Sequence, residues 1–220
     1  MNKAFKGTGV AIVTPFKSDF KVDEPALTNL VNHLIDGKVD YLVILGTTGE
    51  SVTLTKDEKV QVTSCVISAT KGRVPLVLGI GGNNTADVIQ QLTTTDVTGI
   101  DAILSVSPSY NKPNQEGIYQ HFKAVAEASP LPVILYNVPG RTGSNMTSET
   151  TLRLANDFKK FIGIKEASGN IEQCMRIAKN KLKDFLLISG DDNLTVPMMA
   201  LGAKGVISVV ANAFPFETSE

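Results

Sequence analysis

Lys165 is the residue of this chain with the clearest chemical potential. It ends an apolar run, residues 161–165, in which alternation places Gly163 and Lys165 on the face opposite Ile162 and Ile164. Burial strips the hydration from an ammonium group, lowers the pKa of the lysine and leaves a neutral amine that attacks carbonyl carbons. The sequence therefore predicts a nucleophilic lysine that points into the fold. The alternative is a lysine whose long stem carries its charge out to water.

Two other segments carry groups suited to a small anionic substrate. Residues 46–49, Gly-Thr-Thr-Gly, offer backbone N–H groups and hydroxyl donors to an anion, although a tight turn capped by threonine gives the same pattern. Tyr136 ends another apolar run, and Arg141 follows five residues later. A tyrosine relays protons and an arginine clamps a carboxylate, whereas a strand tyrosine is also a common core residue.

The elements that must position these groups form a repeating pattern of short apolar runs, each followed by amphipathic sequence. The runs are rich in β-branched residues and nearly continuous in hydrophobicity, which is typical of strands covered on both faces. They lie at residues 8–13, 41–45, 74–79, 101–106, 132–136, 161–165, 185–189 and 205–210. Eight strands alternating with helices predict an α/β fold, a (β/α)8 TIM barrel, with an open doubly wound sheet as the alternative.

The domain organisation follows from length and continuity. No linker or low-complexity tract interrupts the 220 residues, so a single TIM-barrel domain over residues 1–220 is expected. The chain ends about ten residues after the eighth predicted strand. We therefore expect a barrel that is short at its C-terminus and lacks the final barrel helix.

Composition and charge exclude several classes of protein. A hydrophobic content of 42% excludes a disordered chain, and no apolar run approaches the ~18 residues of a membrane span. With 21 basic and 22 acidic residues and no basic stripe, neither nucleic acid nor a membrane is an expected partner. Only two cysteines, Cys65 and Cys174, and no signal-peptide pattern predict a cytoplasmic protein without disulfides.

Neither a metal nor a phosphate cofactor is expected. Asp191 and Asp192 form an acidic pair, but neither His33 nor His121 lies near them, so we interpret the pair as solvated or helix-capping carboxylates. A glycine-rich run at residues 79–84 nearly matches a phosphate-binding fingerprint, yet its last position is Asn, and we interpret it as a turn.

Three segments together carry a resemblance to a known family. Residues 46–51 (Gly-Thr-Thr-Gly-Glu-Ser), 136–143 (Tyr-Asn-Val-Pro-Gly-Arg-Thr-Gly) and 163–167 (Gly-Ile-Lys-Glu-Ala) resemble the dihydrodipicolinate synthase family of pyruvate-dependent class I aldolases. The resemblance extends over essentially the whole chain, including residues 189–192 and 205–209. It also implies C-terminal helices after the barrel, and we expect this chain to lack them.

The resemblance implies a reaction. It is the Schiff-base condensation of pyruvate with L-aspartate 4-semialdehyde to 4-hydroxy-tetrahydrodipicolinate, the committed step of diaminopimelate and lysine biosynthesis. It requires no cofactor, because the protonated imine is itself the electron sink. Two alternatives stay open: a sister aldolase of the N-acetylneuraminate lyase or 2-oxo-acid aldolase type, and a non-catalytic barrel that binds keto acids.

The resemblance also implies a function for each matching residue. Lys165 would form the Schiff base with pyruvate, and Thr47 and Thr48 would hold the pyruvate carboxylate. Tyr136 would be the general acid and base, linked through the Thr47 hydroxyl to Tyr110 of a neighbouring subunit in a homotetramer built as a dimer of dimers. The remaining implied substrate-binding residues are Arg141, which would bind the semialdehyde carboxylate, and Gly190 and Ile207, which would line the site.

Overall fold

Eight parallel strands pair in sequence order and close on themselves into a barrel. The computed structural model describes residues 5–220. The strands are β1 (Gly7–Ala11), β2 (Tyr41–Ile44), β3 (Leu76–Gly79), β4 (Ala102–Val106), β5 (Val133–Asn137), β6 (Phe161–Glu166), β7 (Leu186–Ser189) and β8 (Gly205–Ser208). Each strand overlaps a predicted apolar run, and its bounds differ from those of the run by no more than about two residues. Because the sheet is closed, the TIM barrel is confirmed and the open sheet is excluded.

Helices follow the strands and cover the outside of the barrel. They are α1 (Glu24–Asp36), α2 (Lys56–Thr70), α3 (Thr85–Thr94), α4 (Gln115–Ala128), α5 (Pro139–Thr142), α6 (Ser148–Asp157), α7 (Ile171–Asn180), α8 (Thr195–Ala200) and α9 (Pro215–Ser219). A side-chain oxygen of the preceding residue caps the N-terminus of most of the longer ones, as Thr55 does for α2 and Asn170 for α7. In residues 5–220, none of the helices combines the length and the apolar character that a membrane span requires.

The segment after β8 forms a short helix where the sequence analysis expects none. Helix α9 packs against α1 and β1. Pro215 lies over Gly37, where a Cβ atom would stand 2.5 Å from the proline ring, and the Thr8 hydroxyl donates to the Thr218 carbonyl at 3.1 Å. Helix α9 thus occupies the place, beside α1, of the helix that follows the eighth strand in a TIM barrel.

Buried apolar side chains form two clusters separated by the sheet. The larger cluster lies between the strands and the helices and includes Leu42, Leu135 and Phe122. The smaller one, the interior cluster, fills the inside of the barrel, and Tyr41 and Ile188 belong to it. Side chains of one strand alternate between the two clusters, so both faces of the strand are apolar and its sequence is a continuous apolar run.

The joins between strands are unequal in length. β1 and β8 share four register pairs, whereas β7 and β8 share a single pair, Ser189 with Val206. We call this short join the β7–β8 seam. The four-pair join needs glycine at position 205, because a Cβ atom there would stand 1.9 Å from the carbonyl oxygen of Gly7, whereas a Cβ atom on Gly7 would stand 1.9 Å from Asp40 Oδ2. Barrel closure therefore depends on the close approach of the β1 backbone to a residue of β8 that has no side chain.

Strand β6 departs from regular alternation at its beginning. In the pairing with β5 the register skips Ile162, which is an extra residue on β6. Ile162 packs in the interior cluster and Ile164 packs outside, so the prediction that both share the outer face is wrong for Ile162. The bulge resets the alternation, and Gly163 accommodates it because a Cβ atom there would stand 2.7 Å from the Leu186 carbonyl oxygen.

Two of the three glycines in residues 79–84 allow close packing between neighbouring strands. A Cβ atom on Gly79 would stand 2.3 Å from the carbonyl oxygen of Leu45, and one on Gly81 would stand 2.8 Å from Val106 Cγ1. Gly79 also closes β3 rather than opening a turn. The interpretation as a turn is therefore wrong for Gly79, which ends β3, while residues 80–84 form the connection between β3 and α3.

Candidate active site

Lys165 lies near the C-terminal end of β6 with its side chain inside the barrel, where only 4% of the residue is exposed. Its Nζ atom is 4.5 Å from the centre of the Tyr136 ring. Burial lowers the pKa of Lys165 to about 8, while the carboxylates of Asp192 and Asp191 oppose that shift and Arg141 adds to it. About one molecule in ten then carries the neutral amine at pH 7. The alternative of a lysine that reaches bulk water is wrong, because the side chain is buried.

Tyr136 faces Lys165 directly, since the two residues are register partners on β5 and β6. Its ring is buried and belongs to the interior cluster. Burial raises the pKa of Tyr136, whereas a hydrogen bond with the Thr47 side chain and the positive charge of Arg141 lower it. The phenol therefore keeps its proton at neutral pH and lies beside the amine, which is the arrangement a proton relay needs.

Thr47 and Thr48 lie in a 3-10 turn, Thr47–Gly49, shortly after β2. The first N–H groups of a helical turn have no acceptor within that turn, so they are available to an anion. Glycine freedom does not shape this turn: the left-handed residues are Leu45 and Glu50, each with φ near 55°. Two strained non-glycine residues thus flank the turn, and strain of this kind accumulates at functional sites.

Arg141 lies in the short helix α5 and is exposed to solvent. None of the ion pairs found in residues 5–220 includes it. Its charge nevertheless lowers the pKa of both Tyr136 and Lys165, so the guanidinium group lies close to them. Without a carboxylate partner in the described chain, Arg141 is free to bind a carboxylate that arrives from solution.

Gly190 and Ile207 line the interior beside Lys165. Gly190 follows β7, and a Cβ atom there would stand 3.1 Å from both Cγ and Cε of Lys165 and 2.7 Å from Ala167 Cβ. The missing side chain therefore makes the room that the lysine stem occupies. Ile207, on β8, is buried and packs in the interior cluster through its side chain.

Tyr110 does not join this buried group within the chain. It is 85% exposed and has a left-handed backbone with φ 70°. Its N–H group donates to the Thr142 carbonyl at 3.1 Å, which ties the loop after β4 to helix α5. The structure therefore brings Lys165, Tyr136 and Thr47 together and leaves the Tyr110 ring in solvent.

The acidic pair after β7 affects the lysine as well as the backbone. Asp192 Oδ2 accepts N–H groups from Val209 at 3.0 Å and from Val210 at 3.2 Å, whereas Asp191, at the N-cap of the 3-10 turn Asp192–Leu194, makes no side-chain capping bond. Both carboxylates also raise the pKa of Lys165, an effect that the sequence analysis missed. Residues 5–220 contain no group of three or more side chains with the arrangement of a metal site.

A second polar group lies on the outer face of the same two strands, and sequence reasoning missed it. Glu166 and Asn137, which directly follow Lys165 and Tyr136, are buried and hydrogen-bonded to each other. The available signal was a polar residue next to each reactive one in an otherwise apolar strand. A buried polar residue requires partners, and the sequence did not show which ones.

The comparisons with known proteins agree on one family. Residues 4–220 match the Dihydrodipicolinate synthetase family. Two curated relatives are named 4-hydroxy-tetrahydrodipicolinate synthase. The one from Flavobacterium psychrophilum is 63% identical over 99% of this chain and 74% of its own length, and the one from Parabacteroides distasonis is 59% identical over 97% and 72%.

Solved structures show the same relationship in three dimensions. The dihydrodipicolinate synthase of Thermotoga maritima has a TM-score of 0.95 and 40% identity, covering 98% of this chain and 74% of that one. The enzyme of Aquifex aeolicus has a TM-score of 0.93 and 41% identity, covering 98% and 73%. Fold, site geometry and sequence identity agree, and the chain belongs to the dihydrodipicolinate synthase family.

Proposed function

We propose that this chain condenses pyruvate with L-aspartate 4-semialdehyde through a Schiff base at Lys165 and forms 4-hydroxy-tetrahydrodipicolinate. The single observation that carries the mechanism is a buried lysine amine with a pKa of about 8, 4.5 Å from the ring of a buried tyrosine. The names of the relatives give the reaction, and they do not favour the alternative of a sister aldolase or a non-catalytic barrel.

The first step forms a bond between Lys165 Nζ and the keto carbon of pyruvate. The neutral amine attacks this carbon, and the carbonyl oxygen leaves as water to give a protonated imine. Thr47 and Thr48 hold the pyruvate carboxylate with their hydroxyl and N–H groups at the turn after β2. Tyr136 donates and accepts the protons that this exchange requires.

The second step forms the new carbon–carbon bond. The imine withdraws electrons, so a proton leaves the pyruvate methyl group and an enamine forms. The enamine carbon attacks the aldehyde, whose oxygen takes a proton from the relay. The amino group of the semialdehyde then displaces the Lys165 nitrogen at the imine carbon, which closes the ring and frees the lysine.

Arg141 selects the second substrate. Its unpaired guanidinium binds the carboxylate of the semialdehyde through two parallel hydrogen bonds, and this fixes the aldehyde in front of the enamine. Gly190 supports the same arrangement because its missing side chain leaves room for the Lys165 stem. Ile207 provides an apolar wall on β8.

Tyr110 is proposed to act on the site of a neighbouring subunit in a homotetramer. Its exposure and its left-handed backbone support this proposal, because a bulky residue held in that conformation costs about 1–3 kcal/mol. We also propose a cytoplasmic location, since the free thiols of Cys65 and Cys174 suit a reducing compartment.

Subunit complementation tests the proposal for Tyr110. Tyr110→Phe and Tyr136→Phe are each expected to be nearly inactive. When the two variants exchange subunits, one site of each mixed pair has both tyrosines, so activity reappears. If Tyr110 acts within its own chain, mixing restores nothing, and sedimentation of the wild type as a monomer would contradict the tetramer.

Reductive trapping tests the reaction itself. Borohydride in the presence of pyruvate should add one reduced pyruvate to the chain, and mass spectrometry should place it at Lys165. A panel of aldehydes should then show turnover with the semialdehyde and little with sugars. Labelling of another lysine, or no labelling of a folded sample, would overturn the Schiff-base mechanism.

A further inference from the structure

The outer faces of β5 and β6 carry a pair of polar residues immediately behind the reactive pair. In the register of the two strands, Tyr136 is opposite Lys165, and Asn137 is opposite Glu166 one residue later. Neighbouring side chains of a strand point to opposite faces, so Asn137 and Glu166 point away from the site and toward the surrounding helices.

Glu166 is a buried carboxylate surrounded by hydrogen-bond donors. It is 1% exposed, and none of the ion pairs in residues 5–220 includes it. Its oxygens accept from Asn137 Nδ2 at 3.0 and 3.1 Å, from Gln173 Nε2 at 3.0 Å and from the Ser168 N–H group at 2.8 Å. Burying a charge is costly, and three donors without a cation offset that cost only through well-placed hydrogen bonds.

Asn137 and Gln173 extend this group to the loop between α5 and α6. Asn137 Nδ2 donates to Asn145 Oδ1 at 2.8 Å, and Asn137 Oδ1 accepts the Met146 N–H group at 2.9 Å. Asn145 Nδ2 donates to Gln173 Oε1 at 2.8 Å. The network therefore joins the ends of β5 and β6 to helix α7 and to the loop that follows Arg141.

Backbone hydrogen bonds continue from the same two residues across the mouth of the barrel. The Asn137 carbonyl accepts the Ala167 N–H group at 2.9 Å, and the Glu166 carbonyl accepts the Gly190 N–H group at 2.9 Å. Asn137 and Glu166 thus fix the chain on both sides of the reactive pair, from β5 through β6 to the residue that makes room for the lysine stem.

We propose that Glu166 is a positioning residue, whose carboxylate holds the ends of β5 and β6 together through Asn137 and Gln173 and so keeps the Lys165 amine aligned with Tyr136. It touches no substrate and acts only through the strands that carry the reactive side chains. The inference rests on the proposed function, because alignment of these two groups matters only if protons pass between the imine and the tyrosine.

The surroundings of Glu166 require a carboxylate rather than an amide. All of its partners donate, and a carboxylate offers acceptor sites on both oxygens. An amide of the same size would present its NH2 group to Asn137 or Gln173, which leaves a buried donor without an acceptor and moves a strand end. Glu166→Gln therefore changes the charge and the hydrogen-bonding character of the position but not its size.

The matched control is Glu172→Gln, the same substitution at an exposed glutamate of α7 that pairs with Arg176 on the surface. Both variants are measured by kcat per trappable site, where the number of sites is the amount of Lys165 that borohydride and pyruvate label. We expect Glu166→Gln to lower kcat per trappable site by about 10- to 100-fold, the scale of small misplacements of reacting groups. The KM for pyruvate should change less than about threefold, because pyruvate is held elsewhere. Glu172→Gln should match the wild type.

The outcomes separate positioning from a merely structural function. A Glu166→Gln variant in which a smaller fraction of Lys165 is labelled but kcat per trappable site is that of the wild type would overturn the proposal. A variant in which neither the labelled fraction nor kcat per trappable site changes would also overturn it. If Glu166→Gln does not fold, Gln173→Met decides in the same assay. It removes one of the three donors to Glu166 together with the acceptor of Asn145 Nδ2, and the expected loss is about 3- to 10-fold. A wild-type chain that is not labelled at all would instead refute the proposed function.

Discussion

The two ends of the barrel interior each hold a buried tyrosine, and their surroundings differ. At the N-terminal end of the strands, Tyr41 packs edge-on against Phe5 with ring centres 5.6 Å apart, and its hydroxyl has no partner in the described chain. At the C-terminal end, Tyr136 forms a hydrogen bond with the Thr47 side chain, and the positive charge of Arg141 acts on its hydroxyl. Burial raises the pKa of both phenols, and only at Tyr136 do neighbours oppose that shift.

The difference shows that burial alone does not make a tyrosine of the interior reactive. Polar and charged neighbours are also required. Tyr41 fills space as a large core side chain. Tyr136 has a hydrogen-bond partner for its proton and a lysine at 4.5 Å from its ring. The same residue type thus closes one end of the barrel and is reactive at the other, and the contrast can be tested by matched substitutions at the two ends.

The largest effect is expected from the pair Tyr136→Phe and Tyr41→Phe. Tyr136→Phe should lower kcat by about 10²-fold or more, the scale of general acid–base catalysis, while part of the pyruvate adduct still forms. Tyr41→Phe should leave kcat unchanged and raise the free energy of unfolding by about 1 kcal/mol, since it removes a buried hydroxyl without a partner. Steady-state kinetics and denaturant titration measure the two results. Equal losses of kcat at both ends would contradict the comparison.

The next effect concerns the cation at the C-terminal end. Arg141→Ala should reduce kcat/KM for the semialdehyde by an amount equivalent to about 1.5–3 kcal/mol, because a charge-assisted pair of hydrogen bonds is lost. Labelling of Lys165 by pyruvate should change less, since that carboxylate is bound at the turn after β2. Equal impairment of both substrates would show that Arg141 is structural.

A glycine makes room for a neighbouring side chain at each end of the barrel interior, Gly9 for Tyr41 and Gly190 for Lys165. Alanine at these positions should affect stability at the first and reactivity at the second. A Cβ atom on Gly9 would stand 2.2 Å from Tyr41 Cζ, so Gly9→Ala should destabilise the fold by about 1–3 kcal/mol. Gly190→Ala would crowd the Lys165 stem and should slow adduct formation by about tenfold. Thermal unfolding and the rate of borohydride labelling separate the two. Normal labelling by Gly190→Ala would refute the assigned packing.

The smallest effect is a shift in pH dependence. With a Lys165 pKa of about 8, the neutral amine falls about tenfold per pH unit below that value, so the labelling rate should rise with pH and level off above pH 8. Asp191→Asn removes a carboxylate that favours the ammonium form, so the midpoint should move to lower pH. Asp57→Asn, at an exposed position of α2, is the control. A midpoint that moves upward would contradict the assigned electrostatics.

The sequence could predict the barrel and the inner face of the site. Strands covered on both faces leave continuous apolar runs, and a lysine in such a run is conspicuous. Alternation then places Lys165 inward, and the resemblance pairs it with Tyr136 and Thr47. These inferences depend on local patterns, which a single segment of sequence contains.

The parts that escaped prediction depend on neighbours far away in the chain. The bulge at Ile162 exists only in the pairing of β6 with β5. The partners of Glu166 include Asn137, which lies 29 residues away along the chain. The left-handed backbones of Leu45, directly after β2, and of Glu50, at the end of the 3-10 turn, also escaped prediction, because neither residue type favours that conformation.

The β7–β8 seam affects where the barrel opens locally. A closed sheet opens first where the fewest ladder hydrogen bonds must break, so local opening is expected there while the other strands stay paired. Gly190 follows β7 at this seam, beside the lysine stem. Fluctuations on the time scale of amide hydrogen exchange would therefore admit water beside the Lys165 stem, and the join with the fewest register pairs borders the reactive amine of the scaffold.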